Sequence, residues 1–251
     1  MSFHTILYHE IREAAVFDPS HPSPINVKQD YKDVLPAPLF ITLEAFQEQM
    51  KYLKELGCHT LTLKEVRDFY YEDKNLPDKS ILLTFDDCYQ ALKHYAYPIL
   101  KEYGFHAVAF AVTGWLNSEP QAFQPDKSIC LTNEELIAME DVFEYANHTH
   151  HFHTRTDGKT GRIMTEPEEA FAADLAVCNS HSFLSAKDTF AYPFGLFEER
   201  NVELLRREHF KLAFTCISGS NEKDTDPLLL RRNVIPYTAD MGTFKALAGI
   251  A

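Results

Sequence analysis

The chain has 251 residues, 45% of them hydrophobic and 13% aromatic, enough apolar material for one large α/β domain or two small ones. With 37 acidic residues against 24 basic ones it carries a formal net charge of −13. That balance argues against a nucleic-acid partner, because phosphate contacts need clustered Lys and Arg. No stretch is long and apolar enough to span a bilayer. The five cysteines (Cys58, Cys88, Cys130, Cys178, Cys216) form no C-x-x-C pair, which argues against a disulfide framework or a Cys-rich zinc site.

The first apolar run is Thr5-Ile6-Leu7-Tyr8. It is reached from Met1 without the charged, apolar and small-residue regions of a signal peptide. The protein is therefore expected in the cytoplasm, or outside the cell if an export segment has been removed. Residues 12–39 carry five prolines and no periodicity, so they read as a long loop. Leu43, Phe46, Met50, Leu53 and Leu56 then make one apolar helical face over Leu43–Leu56, ended by Gly57. Cys58–Leu63 reads as a strand, and Thr62-Leu63-Lys64-Glu65 has capping-box spacing, opening a helix toward Tyr71.

Ser80–Phe85 is the next strand, followed by a helix through Leu100. Further strands are expected at His106–Thr113, Phe143–Asn147, Thr189–Tyr192 and Leu212–Cys216. Helices are expected near Asn133–Met139, Pro167–Leu184 and Glu198–His209, with Thr-x-x-Glu boxes at Thr132–Glu135 and Thr165–Glu168. Alternation of this kind predicts an α/β fold, either an open doubly wound sheet or a barrel. No internal repeat or interdomain linker stands out, so one domain is expected.

Two adjacent acids, Asp86 and Asp87, end the strand Ser80–Phe85. Side chains alternate along a strand, so both can face one pocket only where the chain turns out. Two charges so close are costly unless a cation or a proton compensates. The cluster His148-Thr149-His150-His151-Phe152-His153 follows another strand, and Tyr192-Pro193-Phe194-Gly195 follows a third. In α/β sheets and barrels the chemistry gathers at the C-terminal strand ends. One Asp and two His around a divalent metal, with the other Asp free as a base, outline a hydrolytic site.

These residues resemble the polysaccharide deacetylase family (carbohydrate esterase family 4, the NodB-homology domain). Its T-F-D-D motif is matched by Thr84-Phe85-Asp86-Asp87. The resemblance implies a seven-stranded distorted (β/α) barrel over residues 1–251, with Asp86 as general base and Asp87 as metal ligand. The family's H-[ST]-x-x-H spacing is not met, since Phe152 stands at its last position. His148 and His153 fit instead the longer H-T-x-x-x-H spacing of the branch that de-N-acetylates poly-β-1,6-N-acetylglucosamine. Tyr8-His9-Glu10-Ile11 and the run from Phe46 to Gly57 are similar to that branch too. The likeness covers the chain from Ile6 to about Val234.

The family's Gly after T-F-D-D is Cys88 here, and its R-x-P-x-G motif appears as Ala191-Tyr192-Pro193-Phe194-Gly195, without the Arg that orients the base. The closing motif with a catalytic His is absent, as it is in that branch. The resemblance implies Zn²⁺, with Co²⁺ or Ni²⁺ as alternatives, and an N-acetylated glycan as substrate. Asp86 would take the proton of the attacking water, the Phe194 backbone N–H would stabilise the oxyanion, and His9 is the candidate general acid.

Other readings of single residues stay open. Tyr192, Phe194 and Trp115 could contact sugar or simply pack. Arg231 and Arg232 could replace the missing Arg beside Asp86 or form a surface salt bridge. His150 and His151 could stand behind the ligands, lie exposed, or substitute for one of them. Two rival functions remain: a cytoplasmic hydrolase of small cyclic amides or imides on the same site, and a glycan-binding module with degenerate chemistry.

Overall fold

The apolar runs become the strands of one curled sheet. The computed structural model describes residues 1–21, 25–27 and 35–250. In chain order its strands are β1 (Ser2–Tyr8), β2 (Glu10–Arg12), β3 (Ile25–Asn26), β4 (Phe40–Thr42), β5 (His59–Thr60), β6 (Ser80–Asp86) and β7 (Ala107–Ala111). β8 (Ser128–Ile129), β9 (Phe143–Asn147), β10 (Ala186–Ala191), β11 (Leu212–Phe214), β12 (Ser220–Glu222) and β13 (Asn233–Val234) follow. The helices are α1 (Leu43–Leu56), α2 (Leu63–Tyr71), α3 (Tyr97–Tyr103), α4 (Asn133–Ile137), α5 (Arg162–Thr165), α6 (Glu168–Asn179), α7 (Glu199–Arg207) and α8 (Met241–Leu247).

The sheet runs β11-β10-β9-β7-β6-β1-β12, with β13 also on β1 and β5 on β6. Its two sides meet through one short segment. Leu230 bridges Phe214 at the end of β11, and Asn233–Val234 pair in parallel with Ile6–Leu7 of β1. Seven strands (β1, β6, β7, β9, β10, β11 and β13) thereby make the distorted (β/α) barrel.

Strand alternation sorts the core. Ile81, Leu83 and Phe85 of β6 pack outward with Phe46, Met50 and Leu53 of α1, each burial contributing roughly 1.5–3 kcal/mol. Leu82 joins Val108, Phe110, Ala146, Ala191, Leu212, Phe214 and Leu230, the inward set. Phe190 and Tyr192 face outward into a third cluster with α6 and α7. α2 crosses the N-terminal end: its Leu63 N–H donates to Glu144, Arg67 pairs with Asp188, and the Tyr71 hydroxyl donates to the Lys211 carbonyl. That end is plugged, which leaves the C-terminal strand ends for a site.

The structure departs from expectation at several places, among them the following. The strand expected over Cys58–Leu63 shortens to β5, because Thr62 caps α2 through a capping box with Glu65. The helix expected through Leu100 is wound as π-helix over Leu92–Ala96 before α3, since Pro98 has no N–H to return to His94. Thr165 ends α5, and Pro167, in extended backbone, stands at the N-cap of α6; the Thr165–Glu168 spacing caps nothing. The expected loop over 12–39 includes β3, which pairs with β8, and a 3₁₀ turn over Ala37–Leu39; residues 22–24 and 28–34 lie outside the described ones.

Candidate active site

β1 and β6 run parallel with Tyr8 opposite Phe85. The next residues, His9 just past β1 and Asp86 at the last position of β6, lie side by side, with His9 Nε2 3.7 Å from Asp86 Oδ2. Asp86 shares the inward parity of Leu82. Asp87 and Cys88 then take left-handed backbone, φ 73° and 57°, and this turn keeps the second acid on the same side as the first. Cys88 thus occupies a conformation that favours glycine, at a cost of about 1–2 kcal/mol. The histidines arrive from β9. The His148 N–H donates to the Ala111 carbonyl, and Thr149 has a φ of 75°.

His148 Nε2 lies 3.9 Å and His153 Nε2 3.7 Å from Asp87 Oδ1. The ligand atoms of Asp87, His148 and His153 all lie within 4.8 Å of one another, and all three residues are buried. This donor set fits a divalent cation. Asp87 Oδ1 is buried with no hydrogen-bond partner, a costly state for a carboxylate that a cation would relieve. The His148 Nδ1–H donates to the Ala191 carbonyl at 2.8 Å, so Nε2 carries the lone pair toward Asp87. Burial lowers the pKa of His148 and His153 and keeps both in the neutral form that binds metal. Burial and then the charge on Asp86 raise that of Asp87.

Asp86 is held by Arg232, with Nη1 donating to Oδ1 at 2.6 Å and Nη2 to Oδ2 at 2.9 Å. Arg232 is 0% exposed, so the surface salt bridge left open by the sequence does not apply to it; Arg231 is the exposed one of the pair. Burial alone would raise the Asp86 carboxyl, but Arg232, His148 and His9 outweigh it and hold it at about 2. Arg232 sits on the closing segment with the inward parity of Leu230, its guanidinium 5.3 Å over the Phe110 ring. That parity is the one signal in the sequence that could have assigned it.

A cavity of about 190 Å³ opens above these groups. His9, Asp86, Asp87, His148 and His153 border it on one side, and Ile25, Leu35, Pro36, Leu39 and Val234 form an aliphatic wall. Of Tyr192, Pro193, Phe194 and Gly195, Phe194 borders the cavity. Tyr192 faces outward and its hydroxyl donates to the Leu228 carbonyl, while Pro193 is buried. Gly195, at φ 68°, abuts Cys216. Trp115 is 0% exposed and packs edge-on against His153 with ring centroids 4.6 Å apart, behind the ligand. The imidazoles of His150 and His151 border a separate hollow with His181.

Sequence and structure comparisons bear on the family and the fold. The family model for polysaccharide deacetylase matches residues 73–213. A poly-β-1,6-N-acetyl-D-glucosamine N-deacetylase of Staphylococcus aureus (strain MSSA476) is 28% identical over 179 residues, covering 70% of this chain and 60% of the relative. The Staphylococcus epidermidis protein of the same name is 23% identical over 204 residues, covering 79% and 69%. The chain thus spans about 60% of the length of the first of these relatives. Among solved structures, the Streptococcus pyogenes deacetylase PplD in complex with acetate superposes with a TM-score of 0.78 at 20% identity, covering 99% of this chain and 98% of that one. IcaB from Ammonifex degensii gives 0.70 at 21%, covering 98% of each. These two likenesses speak for the fold. The acid pair, the histidines and a family match across more than half of its length place the chain in the polysaccharide deacetylase family.

Proposed function

We propose that the chain is a divalent-metal-dependent de-N-acetylase of N-acetylglucosamine-containing poly- or oligosaccharides. The observation that carries this reading is the convergence of Asp87, His148 and His153, with Asp86 locked by Arg232 beside them. The names of the staphylococcal relatives support β-1,6-linked N-acetylglucosamine as the first substrate to try.

Asp87, His148 and His153 would hold the ion, with Zn²⁺ favoured and Co²⁺ or Ni²⁺ accepted by the same donors. Such an ion supplies Lewis acidity toward an amide carbonyl and an attacking water. Asp86 stays ionised and oriented under Arg232, and takes the proton of that water. The Phe194 backbone N–H steadies the developing negative oxygen. His9, 3.7 Å from Asp86, carries the proton on to the leaving amine. Burial lowers the pKa of His9 to about 4, so it rests neutral and releases a proton readily once charged.

The test is acetate release from β-1,6-linked N-acetylglucosamine oligomers, with and without a chelator. Asp86→Asn should keep the metal and lose turnover; acetate release at the parental rate would refute the base assignment. The small aliphatic-walled cavity favours a second reading, hydrolysis of small cyclic amides or imides. Assaying both substrate types side by side separates the two. The buried Arg232 supplies a guanidinium beside Asp86, where Ala191 stands in place of the family's Arg, and this weighs against the third reading, a degenerate binding module.

A further inference from the structure

The paired histidines are five positions apart, and the loop between them is tied at its backbone from two directions. On one side β7 runs on past its last pair: the Thr113 N–H donates to the Thr149 carbonyl at 3.1 Å and the Gly114 N–H to the His150 carbonyl at 3.0 Å. A Cβ at Gly114 would lie 2.3 Å from that carbonyl oxygen and 2.8 Å from His151 Nδ1, so only glycine lets the two segments meet. On the other side stands α6. Asp174 Oδ2 accepts the His150 N–H and Oδ1 the His151 N–H, both at 2.7 Å. Asn147 completes the hold, its Oδ1 accepting the Thr149 N–H and its Nδ2 donating to the Leu175 carbonyl and to Asn179 Oδ1.

Asp174 is 7% exposed, and a carboxylate is desolvated there at a cost. Its partners are two amides of the segment that joins the candidate ligands, so the energy spent on burying it is recovered in the shape of that loop. We infer that Asp174 is a positioning residue for the metal centre, fixing the separation of His148 and His153 through the backbone of His150 and His151, two of the four residues between them. His150 and His151 then act through their amides, and their imidazoles are dispensable for the metal. The inference rests on the metal-centre reading above. It adds a requirement that this reading does not contain: the loop is set before any ion arrives.

Titration of the purified protein with Zn²⁺ against a chromophoric chelator tests it. Asp174→Asn places an amide donor against a backbone N–H and should weaken Zn²⁺ binding about 10- to 100-fold, while a His150→Ala/His151→Ala variant keeps the parental affinity. Parental affinity in folded Asp174→Asn overturns the inference. A second measurement needs no variant. In the metal-free parent the amides of His150 and His151 should exchange slowly with solvent, because the carboxylate already holds them. Fast exchange that slows only when Zn²⁺ is added means that the ion orders the loop, and this too overturns the inference. A parent that binds no Zn²⁺ at all defeats the metal-centre reading itself, an outcome distinct from either of these.

Discussion

Arg232 grips Asp86 at two points, 2.6 and 2.9 Å, across 146 positions of chain and wholly out of water. A two-point fork fixes the orientation of the carboxylate, which a single charge could not do. Arg232→Met leaves an unpaired buried acid and should destabilise the protein by about 3–5 kcal/mol in denaturant unfolding. Arg232→Lys keeps the charge without the fork, so it should fold better than the Met variant and still lose turnover. The sign of the pH effect follows. Asp86 lies at about 2 against an ordinary 3.8, so its contribution to stability is present above 3.8 and is lost as pH falls toward 2. In Arg232→Met that acid-side loss should disappear.

Glu10 follows His9 and is 2% exposed. Burial raises its carboxyl to about 7, against the opposing pull of Arg12. A raised acid stabilises the fold below its ordinary 4.5, and that contribution is lost as pH climbs through 7. Unfolding of the metal-free parent should therefore lose roughly 3 kcal/mol between pH 4 and 8 that Glu10→Gln does not lose. Equal pH slopes in the two proteins would contradict the assignment.

Gly195 follows Phe194, which borders the cavity, and both residues have positive φ. A Cβ at position 195 would lie 2.6 Å from Cys216 Cβ. Gly195→Ala combines that clash with left-handed backbone and should cost about 2 kcal/mol or more, lowering acetate release as Phe194 shifts. Cys216→Gly in the same chain removes the clash but leaves the backbone strain, so thermal unfolding should recover in part. No recovery would mean that the contact is not the cause.

Metal removal should be legible in stability as well as in turnover. At a Zn²⁺ concentration 1,000 times its dissociation constant, binding adds about 4 kcal/mol to the folded state. A chelator should reverse that gain and stop acetate release together. His153→Ala should show neither effect of the ion, and a parental thermal shift in that variant would remove His153 from the ligand set.

Short-range signals told most of the local story. The apolar face and Gly57 delimit α1 residue for residue, the boxes Thr62–Glu65 and Thr132–Glu135 open α2 and α4, and Phe143–Asn147 is β9 as expected. Such signals work because capping and alternation need only a few neighbouring residues. Thr84-Phe85-Asp86-Asp87 and the His148/His153 spacing likewise pointed to one candidate site, and the structure brings those side chains together.

What the chain could not disclose depends on closure of the ring. Arg232 reaches Asp86 because a short last strand joins β11 to β1, and Tyr192 misses the cavity because its neighbour Ala191 takes the inward position. Asp174 meets the amides of His150 and His151 only after α6 packs beside β9. Each is a contact between segments far apart in sequence, and no local pattern encodes which inward position will face which. Composition and spacing determined the elements and the chemistry at hand; the barrel decided which groups orient the base and hold the histidine loop.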